Sequence, residues 1–266
     1  MNYSSIIKIL FRSFVRAGIA VLSVFVIGLL CFLYSRFIEP KWVAVRTISI
    51  SDNPTLTLIH ISDIHYKGDK SYLKKVVKII NKTEADFVCF TGDLIEEKVF
   101  LADCLDILCS INKPLYGIYG NHDEWAHVSI SDVAEPFAST GGRWLERGDR
   151  AVFSNKVVIV GEASDSDAHT TQKTAAAMKR ILLNHYPGSV NLLSENSYDL
   201  ILAGHTHGGQ VNLPFVGIPF LAESDKVYLR GLFHTKAGAL YVNPGIGTYY
   251  WPIRFRCRPE ITVIKF

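Results

Sequence analysis

Five short apolar runs in the chain each end in side chains that can bind a metal ion. Such runs are typical of buried strands, and strands of one sheet can bring the loops at their carboxyl ends together at a shared edge. In chain order the runs and their polar residues are 56–61 with Asp63 and His65, 87–90 with Asp93, 115–119 with Asn121, His122 and Asp123, 181–183 with His185, and 200–203 with His205 and His207. Carboxylates, one carboxamide and imidazoles suit Mn²⁺, Fe or Zn²⁺. The sequence therefore predicts a metal site assembled from five strand ends.

The segments around these runs predict the fold class. Residues 70–84 and 99–111 place apolar side chains at helical spacing, which is typical of surface helices. Further apolar, β-branched runs at 157–160 and 261–264 indicate buried strands. Alternating strands and helices predict an α/β architecture, and the strand-rich second half favours two packed β-sheets flanked by helices.

An N-terminal transmembrane helix is predicted ahead of this domain. Residues 17–35 carry no charge, follow three basic residues, and come close to the roughly 20 apolar residues that cross a bilayer as a helix. A cleaved signal peptide is the alternative, but the far end of the stretch lacks the small-residue pattern of a cleavage site. Three basic residues also follow the stretch, so the distribution of charge does not indicate on which side of the membrane the domain lies.

The predicted organisation has three parts: a tail with a transmembrane anchor at 1–36, a linker at 37–54, and a catalytic domain at 55–266. The formal net charge is only +3 and there is no basic run, which argues against nucleic acid as a partner. The five cysteines are odd in number and form no C-x-x-C pair, which argues against a disulfide framework and a cysteine zinc site.

The polar residues at the strand ends could also have purely structural roles instead of binding a metal ion. An aspartate such as Asp63 is by itself typical of a turn or a helix cap. The sequences GNHD at 120–123 and GHTHGGQ at 204–210 are more specific, because two imidazoles on a glycine-rich turn after a buried strand have few structural uses. The other histidines are expected to be surface or hydrogen-bonded residues: His60, His127, His169 and His234.

The ordered series D-x-H, GD, GNHD, H and GHTH resembles the calcineurin-like metallophosphoesterase superfamily from about residue 55 to the C-terminus. GHTHGGQ, YVNPGIGT and PIRFRCRPEITVI are similar to a bacterial membrane-associated branch that includes UDP-2,3-diacylglucosamine pyrophosphatases of lipid A synthesis. The resemblance implies a metallophosphoesterase-like sandwich at the inner membrane and two divalent metal ions. It assigns one ion to Asp63, His65, Asp93 and His207, and the other to Asp93, Asn121, His185 and His205.

The resemblance also implies that His122 is a catalytic acid and not a metal ligand. Asp123 is expected to orient His122 through a hydrogen bond, as carboxylates beside catalytic or metal-bound histidines often do. The sequence LLNHYPG around His185 departs from the relatives, which puts the surroundings of this histidine in doubt but not its role.

These residues predict hydrolysis of a phosphodiester or pyrophosphate bond. The anchor and the apolar segments 211–222 and 249–251 favour a lipid-linked substrate, although the same segments suit core packing equally well. A phosphodiesterase or phosphomonoesterase of soluble or cell-wall phosphates is the alternative. A non-catalytic scaffold is disfavoured because all the family's ligand positions are filled. The oligomeric state stays open.

Overall fold

The computed structural model describes residues 3–162 and 178–266. Its helices are α1 (Tyr3–Leu33), α2 (Lys70–Lys82), α3 (Leu101–Leu108), α4 (Asn121–Trp125) and α5 (Ile130–Ser139). Its strands are β1 (Ala44–Ser49), β2 (Thr57–Ile61), β3 (Phe87–Phe90), β4 (Leu115–Gly117), β5 (Arg143–Trp144), β6 (Arg150–Phe153), β7 (Val157–Glu162), β8 (Lys179–Asn184), β9 (Leu200–Ala203), β10 (Gly231–Thr235), β11 (Gly238–Val242) and β12 (Glu260–Lys265).

The strands form two six-stranded sheets. In the first sheet the order is β1-β12-β2-β3-β4-β5, with β2 to β5 parallel to one another. In the second sheet the order is β10-β11-β9-β8-β7-β6, with β11, β9, β8 and β7 parallel. Because the central strands of each sheet are parallel, their carboxyl ends lie along one edge, where open α/β sheets carry their sites.

The core lies on both faces of the first sheet. Leu58 and Phe87 face the second sheet, where they join Ile181 and Leu202 in one apolar cluster. On the opposite face, Ile80 of α2 belongs to a second cluster that includes side chains of α3 and α5. Burial of one such side chain stabilises the fold by about 1.5–3 kcal/mol. The predicted architecture of two packed sheets flanked by helices is confirmed.

The predicted helices are present but shorter at their ends. The helix predicted at 70–84 ends at Lys82, and its first turn is capped by Asp69, whose carboxylate accepts the Tyr72 N–H at 3.0 Å. The helix predicted at 99–111 begins with the 3₁₀ turn Lys98–Phe100 and ends at Leu108. The short elements α4, β5 and β6 carry too few residues for their periodicity to be read from the sequence.

The range 37–54, which the sequence analysis assigned to a linker, contains the edge strand β1. This strand pairs in parallel with β12. Ahead of it, Glu39 is only 1% exposed and accepts the N–H of Cys257. The range is therefore attached to the domain at two places and is not a free connection.

The helix α1 runs into this attachment without a break. It continues through a π-helical turn, Tyr34–Ile38, and a 3₁₀ turn, Glu39–Lys41. The Ser35 carbonyl accepts the Arg254 N–H at 2.9 Å. Within the described residues, one helical span, Leu10–Lys41, is long enough and apolar enough to cross a membrane. None of its most apolar window is buried against the domain.

Candidate active site

The polar residues that follow the five strands all lie in one cluster at the carboxyl edges of the two sheets. Eight of the nine predicted site residues are buried, and His205 is half-buried. The residues come from the carboxyl ends of β2, β3, β4, β8 and β9, as the sequence predicted: Asp63, His65, Asp93, Asn121, His122, Asp123, His185, His205 and His207.

Most of these residues have an unusual backbone. Positive φ angles occur at Asp63 (49°), His65 (42°), Asp93 (63°), His205 (69°) and His207 (50°). Such angles are uncommon for residues other than glycine and persist only where the surroundings fix them. Here hydrogen bonds between loops fix them, for example from the Asp63 N–H to the Gly92 carbonyl at 2.9 Å and from the His65 N–H to the Asp93 carbonyl at 3.0 Å.

Asp63, His65 and His207 form one group of possible metal ligands. The Nε2 atoms of His65 and His207 are 2.9 Å apart. His207 Nε2 lies 3.6 Å from Asp63 Oδ1, and His65 Nε2 lies 3.4 Å from Asp93 Oδ2. The donor atoms of three loops therefore point at one position.

A second group lies beside the first and shares Asp93 with it. His185 Nε2 is 3.3 Å from Asp93 Oδ2, the same oxygen that approaches His65. His185 Nε2 is also 3.0 Å from Asn121 Oδ1 and 3.3 Å from His205 Nδ1. These distances bring together the residues of the two sets that the family resemblance implies, and a further group of possible ligands joins His65 and Asp93 to His122.

The proton positions in this cluster fit a bound cation. His185 Nδ1 lies 2.8 Å from the Thr91 carbonyl and must donate to it, so the neutral ring carries its lone pair on Nε2. That lone pair faces Asn121 Oδ1, which is also an acceptor. In the same way, His65 Nδ1 bonds to Glu96 at 2.8 Å, which leaves Nε2 to face His207. A divalent cation would satisfy the facing acceptors of His185 and Asn121.

In the absence of a bound cation, the charges of the cluster strongly shift the pKa values of its members. Burial lowers the pKa of His185, but the charges of Asp93 and Asp63 outweigh burial and raise it to about 9. Burial and, to a smaller extent, the neighbouring His185 lower the pKa of His205 to about 3. For Asp93 the nearby histidines outweigh burial and lower the pKa. The carboxylate at the centre of the cluster is therefore held ionised.

The partner of His122 differs from the one predicted. Asp123 was expected to orient His122, but it is Glu96 Oε2 that lies 3.1 Å from His122 Nδ1. The other oxygen of Glu96 bonds His65, so one carboxylate orients two histidines. Burial opposes ionisation of both groups, but their pairing raises the pKa of His122 and lowers that of Glu96.

Asp123 instead holds the backbone of the site. Its carboxylate accepts the N–H groups of Asp93 and Leu94, each at 2.8 Å, and of Gly120 at 3.0 Å. Gly120 is required where it stands, because a Cβ atom there would overlap the Asp93 carboxylate. The two loops are thus fixed against each other at the point where Asp93 is presented.

A cleft of about 530 Å³ opens above the cluster. The polar floor of the cleft includes Asp93, Asn121 and His122. The wall is aromatic and apolar, and its most exposed members are Phe220 (78%), Tyr250 (74%), Trp125 (66%) and Trp251 (62%). Phe215, in the same predicted apolar segment, does not line the cleft and is fully exposed.

Two residues of the site, Glu96 and Trp125, were not predicted from the sequence. Glu96 follows Asp93 by three residues, and this spacing in GDLIEE is the signal that could have indicated it. Trp125 lines the cleft with its ring 4.7 Å from that of His122. Of the other histidines, His60 is buried and bonds to Thr91 at 2.9 Å, as expected. His127 and His234 are exposed, and His169 lies outside the described residues.

The two sheets and the shared set of donors define a metal-dependent phosphoesterase. Residues 56–209 match the family model described as calcineurin-like phosphoesterase, and the chain belongs to this family of hydrolases. It is 30% identical over 253 residues to an uncharacterized metallophosphoesterase, YkuE, of Bacillus subtilis (strain 168), a match that covers 86% of this chain and 87% of the relative.

Two further relatives have named activities. The chain is 25% identical to the phosphodiesterase YaeI of Escherichia coli (strain K12), covering 88% of this chain and 92% of the relative. It is 24% identical to the UDP-2,3-diacylglucosamine pyrophosphatase LpxG of Chlamydia muridarum (strain MoPn / Nigg), covering 95% and 98%. Among solved structures, a dimetal phosphatase from Danio rerio aligns with a TM-score of 0.46 at 10% identity, over 73% of this chain and 88% of that one.

Proposed function

We propose that the chain is a membrane-anchored phosphoesterase with two divalent metal ions that hydrolyses a phosphodiester or pyrophosphate bond. The observation that carries the proposal is Asp93 Oδ2, which lies 3.4 Å from His65 Nε2 and 3.3 Å from His185 Nε2. One oxygen is thus shared by two donor groups. Asp63, His65 and His207 complete the first group, and Asn121, His185 and His205 complete the second.

Two bound cations lower the pKa of water toward neutrality and neutralise the oxygens of a phosphoryl group under attack. The donor set suits Mn²⁺, Fe or Zn²⁺. Asn121 contributes a neutral oxygen, which leaves less negative charge beside an anionic substrate. The protein's task is to hold these atoms before the substrate arrives, and the buried loops and the Asp123 hydrogen bonds do so.

His122 is the residue proposed to handle a proton. Its Nδ1 bonds to Glu96, so Nε2 is the nitrogen left for the substrate, and the ring lines the cleft. Because Glu96 favours the protonated ring, His122 can donate a proton to the leaving oxygen. Asp123, which we predicted to be a catalytic residue, is proposed to act through the backbone of the Asp93 loop instead.

We propose a lipid-linked substrate such as a UDP-diacyl-sugar, at the inner membrane. Three observations support this proposal: the exposed apolar helix, the aromatic wall of the cleft, and the relative LpxG, a UDP-2,3-diacylglucosamine pyrophosphatase. Residues 1–36 would anchor the chain and 55–266 would carry the chemistry, with 37–54 joining the two. An apolar wall beside a charged floor suits a substrate with acyl chains and a pyrophosphate.

The test is a panel of substrates given to the purified full chain with Mn²⁺: an aryl phosphodiester, an aryl phosphomonoester and UDP-2,3-diacylglucosamine in detergent micelles. We expect release of UMP from the lipid and cleavage of the aryl diester. Cleavage of the diester alone would favour the alternative, a general phosphodiesterase like YaeI. No hydrolysis by protein shown to hold two metal ions would contradict the enzymatic proposal.

A further inference from the structure

A second cleft of about 430 Å³ lies at the base of α1, and its lining is unusually basic. Arg46, on β1, and Arg230, just before β10, line it together with two arginines of the segment 254–258 that contacts the helix. The full set of charged and phenolic residues around this arginine cleft is Arg46, Arg230, Arg256, Arg258, Glu39, Glu260 and Tyr34.

The charges that line the arginine cleft sum to a positive value, because four arginines outnumber two glutamates. In the described parts of the chain, no carboxylate forms an ion pair with Arg46, Arg230 or Arg256, and all three side chains are exposed. The two glutamates are buried, and one oxygen of each accepts a hydrogen bond from another part of the domain. Glu39 accepts the Cys257 N–H, and Glu260 accepts the Tyr241 hydroxyl at 2.6 Å. The cleft therefore presents several guanidinium groups to an anion.

The position of the arginine cleft indicates which anion. Tyr34, which follows the last residue of α1, lines it, and the Ser35 carbonyl is held by Arg254. Where the apolar part of a membrane-spanning helix ends, the phosphate groups of the surrounding lipids begin. Arginine forms paired hydrogen bonds with phosphate oxygens, and its planar group suits this role better than lysine does.

We infer that the arginine cleft binds the phosphate headgroup of an anionic phospholipid of the bilayer. This inference rests on the proposed membrane anchoring, and the lipid is a docking ligand, separate from the substrate. The segment 253–258 joins the two clefts: Ile253 lines the active-site cleft, Arg256 lines the arginine cleft, and the Phe255 N–H donates to the Gln210 carbonyl at 2.9 Å. A lipid bound here orients the active-site cleft relative to the membrane.

Native mass spectrometry of the full chain, released from micelles that contain equal amounts of phosphatidylglycerol and phosphatidylcholine, tests the inference. We expect the wild type to retain phosphatidylglycerol in preference to phosphatidylcholine, and Arg230→Gln/Arg256→Gln to lose about tenfold of that preference. Arg230→Lys/Arg256→Lys should keep part of it. The control Arg150→Gln/Lys156→Gln removes the same charge at the far edge of the second sheet and should retain the preference.

Equal retention of phosphatidylglycerol by the wild type and the arginine-to-glutamine variant would overturn the inference. So would binding of inorganic phosphate through these arginines without any preference for phosphatidylglycerol, because the site would then serve a soluble anion. Should Arg230→Gln/Arg256→Gln unfold, Arg46→Gln alone, at an exposed position of β1, must lower the preference or the inference fails.

Two parallel measurements on the wild type separate this inference from the proposed function. Resistance of the membrane-bound chain to alkaline carbonate extraction shows whether α1 spans the bilayer. Hydrolysis of an aryl phosphodiester shows whether the catalytic proposal holds. If the chain is active and anchored but retains no lipid selectively, only the inference that the arginine cleft binds lipid is contradicted. If an inactive chain retains lipid selectively, only the catalytic proposal is contradicted.

Discussion

The floor and the wall of the active-site cleft differ in how firmly the fold determines them. Asp93 on the floor is 1% exposed, hydrogen-bonded through its backbone, and in contact with histidines from other loops. Phe220 on the wall is 78% exposed, and Tyr250 and Trp251 are exposed to a similar degree. A change in the floor therefore disturbs several loops, whereas a change in the wall removes only a contact with the substrate. We therefore expect the floor to determine the chemistry and the wall to select the substrate.

Asp93→Asn should have the largest effect, because it removes charge from the oxygen that both donor groups share. We expect the metal content to fall below two ions per chain and activity on every substrate to fall by more than about 100-fold, since even outer partners of a metal site matter by 10–100-fold. Metal analysis measures the metal content, and hydrolysis of the aryl diester measures the activity. Asp106→Asn, on the exposed face of α3, is the control. Full activity in Asp93→Asn would refute the shared-oxygen site.

His122→Ala separates binding of metal from chemistry on the same floor. The side chain is proposed to transfer a proton and not to bind a cation, so we expect about two metal ions per chain and a loss of about 10²–10⁴-fold in kcat. The exposed His127 provides the matched control, His127→Ala. Loss of metal in step with activity would reassign His122 as a ligand.

Glu96→Gln tests whether orientation of the floor histidines matters. The carboxylate holds both His65 and His122, so we expect kcat to fall about 10–100-fold while KM for the aryl diester changes little. Glu96→Asp should recover part of the loss. The neighbouring Glu97 is exposed, and Glu97→Gln should behave as the wild type. An increase in KM with kcat unchanged would mean that Glu96 acts on substrate binding instead.

Phe220→Ser should have the smallest effect and should act on one substrate only. Its ring lines the cleft, so loss of a contact with an acyl chain should reduce kcat/KM for UDP-2,3-diacylglucosamine about fivefold, or about 1 kcal/mol. Aryl diester hydrolysis should be unchanged. Phe215→Ser, outside the cleft, is the control. Equal losses on both substrates would indicate damaged packing, and the wall would then not be a selective surface.

The same contrast explains what could be predicted from the sequence. The floor residues follow buried strands, and burial on both faces leaves continuous apolar runs that place Asp63, Asp93 and His205 at strand ends. Gly120 lies in the sequence GNHD that indicated the site, and it packs against Asp93. Glu96 was missed because its role depends on the distance between two loops, which no local pattern encodes. The strand β1 was missed because its partner, β12, lies more than 200 residues away.

The positive φ angles of five donor residues strain the backbone of the floor. If each such residue costs on the order of 1 kcal/mol, their sum is comparable with the lower end of the 5–15 kcal/mol that stabilises a typical domain. Cations that bind only the folded state offset this energy by an amount that rises with the logarithm of their concentration. The loops of the floor should therefore open locally when cations are scarce, and their hydrogen exchange would report the supply of metal long before the sheets themselves unfold.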